Sequence, residues 1–304
     1  MTINTRFTTM FGCRHPVQQA GMGGMASPDL AIAVAAAGAF GMLSGGVGEQ
    51  ALSAQLDLIP VDAACGVNFI VPFLEPGAVS EAARRSRLVE FFWGTPDTKL
   101  VKVVHDGGAR AGWQVGSAEE AKQAADVGCD VVVAQGIEAG GHVRGTVGLL
   151  ALLDEVCGIV DIPVIAAGGI GSGRAMAAAL TAGAEAVRVG TRFVAATEST
   201  AHSAYVECLI HATADDTVIT TAFGEGWPDA PHRVLSSSIK AGERLGSAQS
   251  WGSDWPSVAY AGDPLARALY AGQSVGSVRA RQGAAEIVDE LVGDAERFLA
   301  PPKT

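Results

Sequence analysis

The sequence predicts an α/β fold, a (β/α)8 TIM barrel followed by an irregular and helical C-terminal extension. Three observations carry this. Short apolar runs rich in Val and Ile alternate with alanine-rich stretches that read as helices. Some runs, VVVA at 131–134 among them, are apolar on both faces, as parallel strands covered by helices should be. Eight such runs precede residue 192, the number one closed barrel needs. An open doubly wound sheet with a second domain also satisfies the alternation. No linker isolates a second domain, so residues 1–304 read as one.

The expected strands are 16–20 (PVQQA), 40–44 (FGMLS), 66–70 (GVNFI), 88–93 (LVEFFW), 110–115 (RAGWQV), 129–135 (CDVVVAQ), 162–168 (IPVIAAG) and 185–190 (EAVRVG). Helix signals lie between them. Ser27 is an N-cap ahead of Pro28 in the first turn of a helix to Ala37. Ser117 and Glu120 have the spacing of a capping box. Lys102 belongs to the helix after the fourth strand and should meet solvent. Residues 173–182 form a helix ended by Gly183. Beyond residue 200 the pattern changes. Residues 201–212 look helical, and 223–263 mix Gly, Pro, Trp and Ser in irregular order, which suggests a lid or a wall of the site. Residues 284–299 return to helical spacing and should close the barrel from outside.

Composition narrows the function classes. The chain is 48% hydrophobic and 17% charged, which argues against disorder. A formal charge of −11 without an arginine-rich run argues against nucleic-acid and anionic-membrane partners. The five cysteines are scattered, with no CxxC, and read as core residues. The six histidines share no metal-ligand spacing, so no metal is expected. The first residues carry no apolar signal core and no run is long enough to span a bilayer, so the reading is a soluble cytoplasmic protein. Thirty-nine glycines need an account in tight turns and close backbone approaches.

Two glycine-bearing strand ends, AAGGI at 166–170 and VGTRF at 189–193, close the seventh and eighth expected strands. In a barrel these positions commonly bind phosphate, with backbone N–H groups and the Thr191 hydroxyl as donors. Their alternative role is turning the chain. QGIEAGGH at 135–142 places His142 on a glycine-rich loop at a strand end, where a neutral imidazole can take a proton or orient a ligand oxygen. Gln135 is placed to meet a ring carbonyl or N–H. Met22, in QQAGMGGM at 18–25, either faces a flat ring or packs in the core. Asn68 is an amide inside an apolar strand and needs a partner. Trp227, Trp251 and Trp255 either line a substrate lid or pack the irregular segment.

Taken together, the chain resembles the nitronate monooxygenase (2-nitropropane dioxygenase) family, which is related to FMN-dependent enoyl-acyl-carrier-protein reductases. The resemblance is carried by residues 16–43, GVNFIVPF at 66–73, QGIEAGGHVRG at 135–145, AAGGIGSGR at 166–174 and VGTRFVAATES at 189–199. GEGWPDAPHRVL at 224–235 and YAGQSVG at 270–276 extend it. It implies a TIM barrel holding FMN noncovalently. Met22, Gly23, Asn68 and Gln135 would lie around the flavin, with Gly140 and Gly141 beside it. Gly168, Gly169, Gly190 and Thr191 would hold the phosphate, with Gly272, Gln273 and Ser274 close to the cofactor. His142 matches the active-site histidine. The implied reaction is oxidation of alkyl nitronates or nitroalkanes by O2 to carbonyl compounds and nitrite. One alternative is an FMN-dependent NAD(P)H reductase of quinones or enoyl thioesters; another is a flavin-binding sensor or structural barrel without turnover.

Overall fold

A computed structural model describes residues 3–244 and 255–300. The chain enters through a short helix, α1 (Arg6–Phe11), followed by β1 (Val17–Gln19), α2 (Pro28–Ala36), β2 (Gly41–Ser44) and α3 (Glu49–Leu58). It continues with β3 (Cys65–Ile70), α4 (Pro76–Arg85), β4 (Leu88–Phe92), α5 (Thr98–Gly107), β5 (Arg110–Val115) and α6 (Ala118–Asp126). Then come β6 (Val131–Gln135), β7 (Gly141–His142), α7 (Leu149–Cys157), β8 (Val164–Ala167), α8 (Gly173–Thr181) and β9 (Ala186–Val189).

Eight of these strands pair in parallel in the order β1, β9, β8, β6, β5, β4, β3, β2, and a parallel bridge between Gln18 and Phe40 joins the two ends. The result is a closed TIM barrel, with all eight strands where the sequence places them. The runner-up open sheet is excluded by that bridge, in which the Phe40 N–H donates to Val17 O at 2.8 Å and the Gln19 N–H to Phe40 O at 2.9 Å.

Side chains alternate along each strand between the helix layer and the bore. On β4, Val89 and Phe91 join the sheet–helix core, whereas Leu88 packs in the bore with Val131, Val133 and Ile165. The strand starts are plugged by α1, whose Phe7 and Phe11 meet Phe40 edge-on at 5.8 and 5.0 Å. Helix α1 is held there by Arg87, whose Nη1 donates to Phe11 O at 2.6 Å.

Ser27 caps α2, accepting from the Leu30 N–H at 3.1 Å. Ser117 likewise accepts from Glu120 N at 3.2 Å, but the return bond goes from Gly116 N to Glu120 Oε2, so the expected reciprocal box is shifted by one residue. Lys102 lies on α5 and pairs with Asp106 at the surface.

After β9 come α9 (Thr191–Val194), α10 (Ser203–His211), β10 (Thr217–Thr220), β11 (His232–Leu235), α11 (Ser236–Glu243) and α12 (Ala284–Leu299). Helix α12 lies against α8 and α2, filling the last place in the helix ring as its spacing predicts. The described part of the region 223–263, expected to be irregular, is more ordered than that. It contributes β11, which pairs antiparallel with β10 on one side and with β7 on the other. Alternation over four residues was too short a signal to read. No helix among the described residues is long and apolar enough to cross a membrane.

Candidate active site

The C-terminal ends of the barrel strands surround a cavity of about 520 Å³, within the range of small-molecule sites. Met22, Gly23, Asn68, Gln135, Gly140, Gly141 and His142 line it, as do Gly168, Gly169, Gly190, Thr191, Gly272 and Ser274. Sequence positions more than 200 residues apart are thus gathered at one place. Gln273 is the exception: it is exposed, and its N–H donates to Glu138 O at 2.9 Å.

The glycines serve two physical needs. Gly168 and Gly169 adopt φ of +106° and +69°, which favours glycine and turns the chain sharply after β8. Gly140 and Gly272 instead allow two backbones to meet: a Cβ on Gly140 would lie 2.4 Å from Gly272 N. The Gly272 N–H donates to Thr191 Oγ1 at 3.0 Å, which leaves the Thr191 hydroxyl hydrogen free to donate. The loop after β6 is thereby tied to the end of β9.

His142 is held by its backbone. It sits opposite His232 in the β7–β11 pair, and its carbonyl accepts from Gln135 Nε2 at 2.8 Å. Gln135 Oε1 accepts from Arg144 N at 3.3 Å, so this amide braces the histidine loop. The imidazole stacks on Trp227, with centroids 4.3 Å apart and planes at 29°. His232 lies at 5.2 Å, Tyr270 at 5.8 Å and Trp93 at 6.0 Å. None of these neighbours is an anion. Burial, and then the nearby His232, push the His142 pKa down to about 3, so the ring is neutral at physiological pH. Two non-glycine residues among those described have positive φ, Trp93 at +65° and Phe223 at +58°. Trp93 packs on His142 and Phe223 lines the cavity, so this backbone strain is concentrated at the site.

The irregular region supplies part of the wall through Phe223, Glu225, Gly226, Trp227, Trp255 and Pro256. The Trp255 ring covers Gly23, where an added Cβ would come within 2.2 Å of it. Trp251 lies outside the described residues.

Sequence reasoning found one member of the floor, Asn68, and missed the rest. Gln18, Asn68, Glu90, Gln114 and Arg188 form a buried polar belt across the bore, and Asn68, Gln114 and Arg188 reach the cavity. The available signal was a charge in the middle of two strands, LVEFF and AVRV, whose other residues are apolar.

The nitronate monooxygenase family model matches residues 4–76 and 75–294. The chain belongs to the nitronate monooxygenase family. It is therefore an oxidoreductase enzyme. Among curated relatives, a nitronate monooxygenase of Pseudomonas aeruginosa is 32% identical over 290 residues, covering 78% of this chain and 82% of the relative. A (3aS,4S,5R,7aS)-5-hydroxy-7a-methyl-1-oxo-octahydro-1H-indene-4-carboxyl-CoA dehydrogenase of Rhodococcus jostii is 37% identical over 245 residues, covering 78% and 67%. Among solved structures, FabK of Thermotoga maritima superposes with a TM-score of 0.84 at 32% identity, covering 98% of both chains. A nitroalkane oxidase from Streptomyces ansochromogenes gives 0.79 at 29% identity, covering 96% and 98%. This family member thus has structural likeness both to a nitroalkane-oxidising enzyme and to FabK.

Proposed function

We propose that this protein is an FMN-dependent enzyme that oxidises preformed alkyl nitronates with O2 to carbonyl compounds and nitrite. The residues present fit the cofactor: a cavity of about 520 Å³ has a glycine-lined rim on β8 and β9 and a polar floor. Gly168, Gly169, Gly190 and Thr191 would hold the phosphate through backbone N–H groups and the free hydroxyl hydrogen. Met22, Gly23 and Asn68 would bound the ring, with Gly140, Gly141, Gly272 and Ser274 completing the rim beside Gln273. Bound FMN supplies the electron transfer between substrate and O2.

The observation that carries the substrate reading is the environment of His142. A histidine with a pKa near 3 is a weak base for a nitroalkane carbon. Its ring N–H can donate to a nitronate oxygen in a site walled by Trp227 and Trp255. His142 then orients an anion already formed in solution, and Phe223, Trp227 and Trp255 act as the substrate wall. Loading the protein with FMN and measuring nitrite release from ethyl nitronate and from neutral nitroethane tests this. Turnover of the nitronate and little turnover of the nitroalkane is the expected result. Equal turnover of both would assign His142 the role of base.

A second reading, oxidoreduction of acyl thioesters or quinones with NAD(P)H, is favoured by the 37% identity to a carboxyl-CoA dehydrogenase and by the FabK likeness. It predicts fast anaerobic flavin reduction by NADH or NADPH.

A further inference from the structure

We propose that the buried Glu90–Arg188 pair is a positioning device. It dictates which atoms of Asn68 and Gln114 face the cavity, so that the floor reads a ring edge carrying an N–H donor beside a carbonyl acceptor. The inference rests on the flavin reading above, since the pyrimidinedione edge of FMN is such an edge.

The N–H groups of Arg188 are all engaged. Nε donates to Gln18 Oε1 at 3.0 Å, Nη1 to Glu90 Oε1 at 2.7 Å and to Gln114 Oε1 at 2.6 Å, and Nη2 to Gln18 Oε1 at 2.8 Å and to Glu90 Oε2. A guanidinium has five donors, and five bonds use them. Although it borders the cavity, Arg188 has no N–H left to grip a ligand. It is not a substrate-binding arginine.

Its effect passes through its neighbours. A carboxylate only accepts and a guanidinium only donates. Glu90, fully buried, therefore compels Asn68 to turn its amide nitrogen inward, and that bond is 2.7 Å. Arg188 compels Gln114 to turn its oxygen inward. The atoms left over are Asn68 Oδ1 and Gln114 Nε2, an acceptor and a donor on two side chains that line the cavity. Strands β3, β4 and β5 are adjacent, and Asn68 stands directly opposite Glu90 in register. Gln18 follows the same logic at a cost: its oxygen serves Arg188 and its nitrogen reaches only the weakly accepting sulfur of Met42, at 3.4 Å.

Stability does not explain the pair. Taking two charges out of water costs more than a well-packed apolar replacement would. An orientation function accounts for a charged pair at this height in the bore, directly under the site, where apolar side chains fill the layer below.

The test compares FMN with N3-methyl-FMN, which lacks the ring N–H donor, by fluorescence titration of apoprotein. Wild-type protein should bind FMN more tightly by about tenfold or more, the value of one well-made hydrogen bond. Glu90→Gln lets the Asn68 amide reverse, and the preference should fall below about threefold. Gln114→Glu keeps an oxygen for Arg188 but removes the outward donor. It should weaken FMN and riboflavin by the same factor of about ten, because the phosphate end is untouched. Equal binding of the two flavins by wild-type protein overturns the inference, as does undiminished preference in Glu90→Gln. If that variant does not fold, unchanged flavin affinity in Gln114→Glu overturns it. Failure of wild-type protein to bind FMN would refute the flavin reading itself.

Discussion

At the strand starts the bore of the barrel is closed by Phe7, Phe11, Phe40, Met42 and Leu88, while one layer of side chains higher it holds Gln18, Asn68, Glu90, Gln114 and Arg188. Both layers are buried inside the same barrel, and β4 contributes to each, Leu88 below and Glu90 above. The lower one is apolar and held by edge-on aromatic contacts, which reward burial without directional demands. The upper one is charged and hydrogen-bonded, which costs desolvation and is worth having only where direction matters. The contrast separates what keeps the barrel closed from what faces the ligand.

Variants in the two layers should therefore fail differently. The largest effect is expected below: Phe11→Ala should cost about 3–5 kcal/mol in denaturant unfolding, with FMN affinity within about twofold of wild type. Loss of FMN binding in that variant would erase the distinction. Above, His142→Ala should lower kcat/KM for ethyl nitronate about 10²-fold, as removal of a single oriented donor does elsewhere. Steady-state nitrite assays check this, and a loss confined to nitroethane would point to a base instead. Replacing the whole belt by apolar residues of similar size, Gln18→Leu, Asn68→Leu, Glu90→Leu, Gln114→Leu and Arg188→Met together so that no buried amide is left unpaired, should leave unfolding stability unchanged or raise it by about 1–4 kcal/mol while weakening FMN. Marked destabilisation would make the upper layer structural too.

Acid sharpens the comparison further. The folded-state pKa of His142 is pushed down to about 3, and burial lowers His232 as well. Between about pH 6.5 and 3 the unfolded chain binds a proton that the folded His142 ring does not, and His232 acts in the same direction, so stability should fall as pH drops through this window and be fully present above it. Unfolding midpoints measured from pH 7 to pH 4 should decline less steeply in His142→Asn. The smallest effect is at a cap outside both layers. Ser27→Ala removes the Leu30 bond and should cost about 1 kcal/mol, with no change in turnover.

Much of this was legible in the sequence because parallel strands covered by helices must be apolar on both faces. The runs at 66–70 and 129–135 announce themselves that way, and glycines mark the loops that follow. His142 was legible from its place at a strand end. Asn68 was noticed, but the rest of the belt was not, since one polar residue in a strand tells nothing of which way it points until the register across the bore is known. Glu90 and Arg188 are 98 residues apart and meet only across a closed barrel. Strand β11 escaped for another reason: its partner β7 is two residues long. Gln135, expected to meet a ring carbonyl or N–H, lines the cavity, but both atoms of its amide are taken up by the His142 loop.

In the proposed reaction electrons enter a bound flavin from a nitronate. Anaerobic stopped-flow mixing of the FMN-loaded protein with ethyl nitronate, NADH and NADPH in separate runs tests it most directly. Rapid bleaching of the flavin band by the nitronate, with a slow or absent response to either nicotinamide, is the expected result. Rapid bleaching by NADH or NADPH with no response to the nitronate would contradict it.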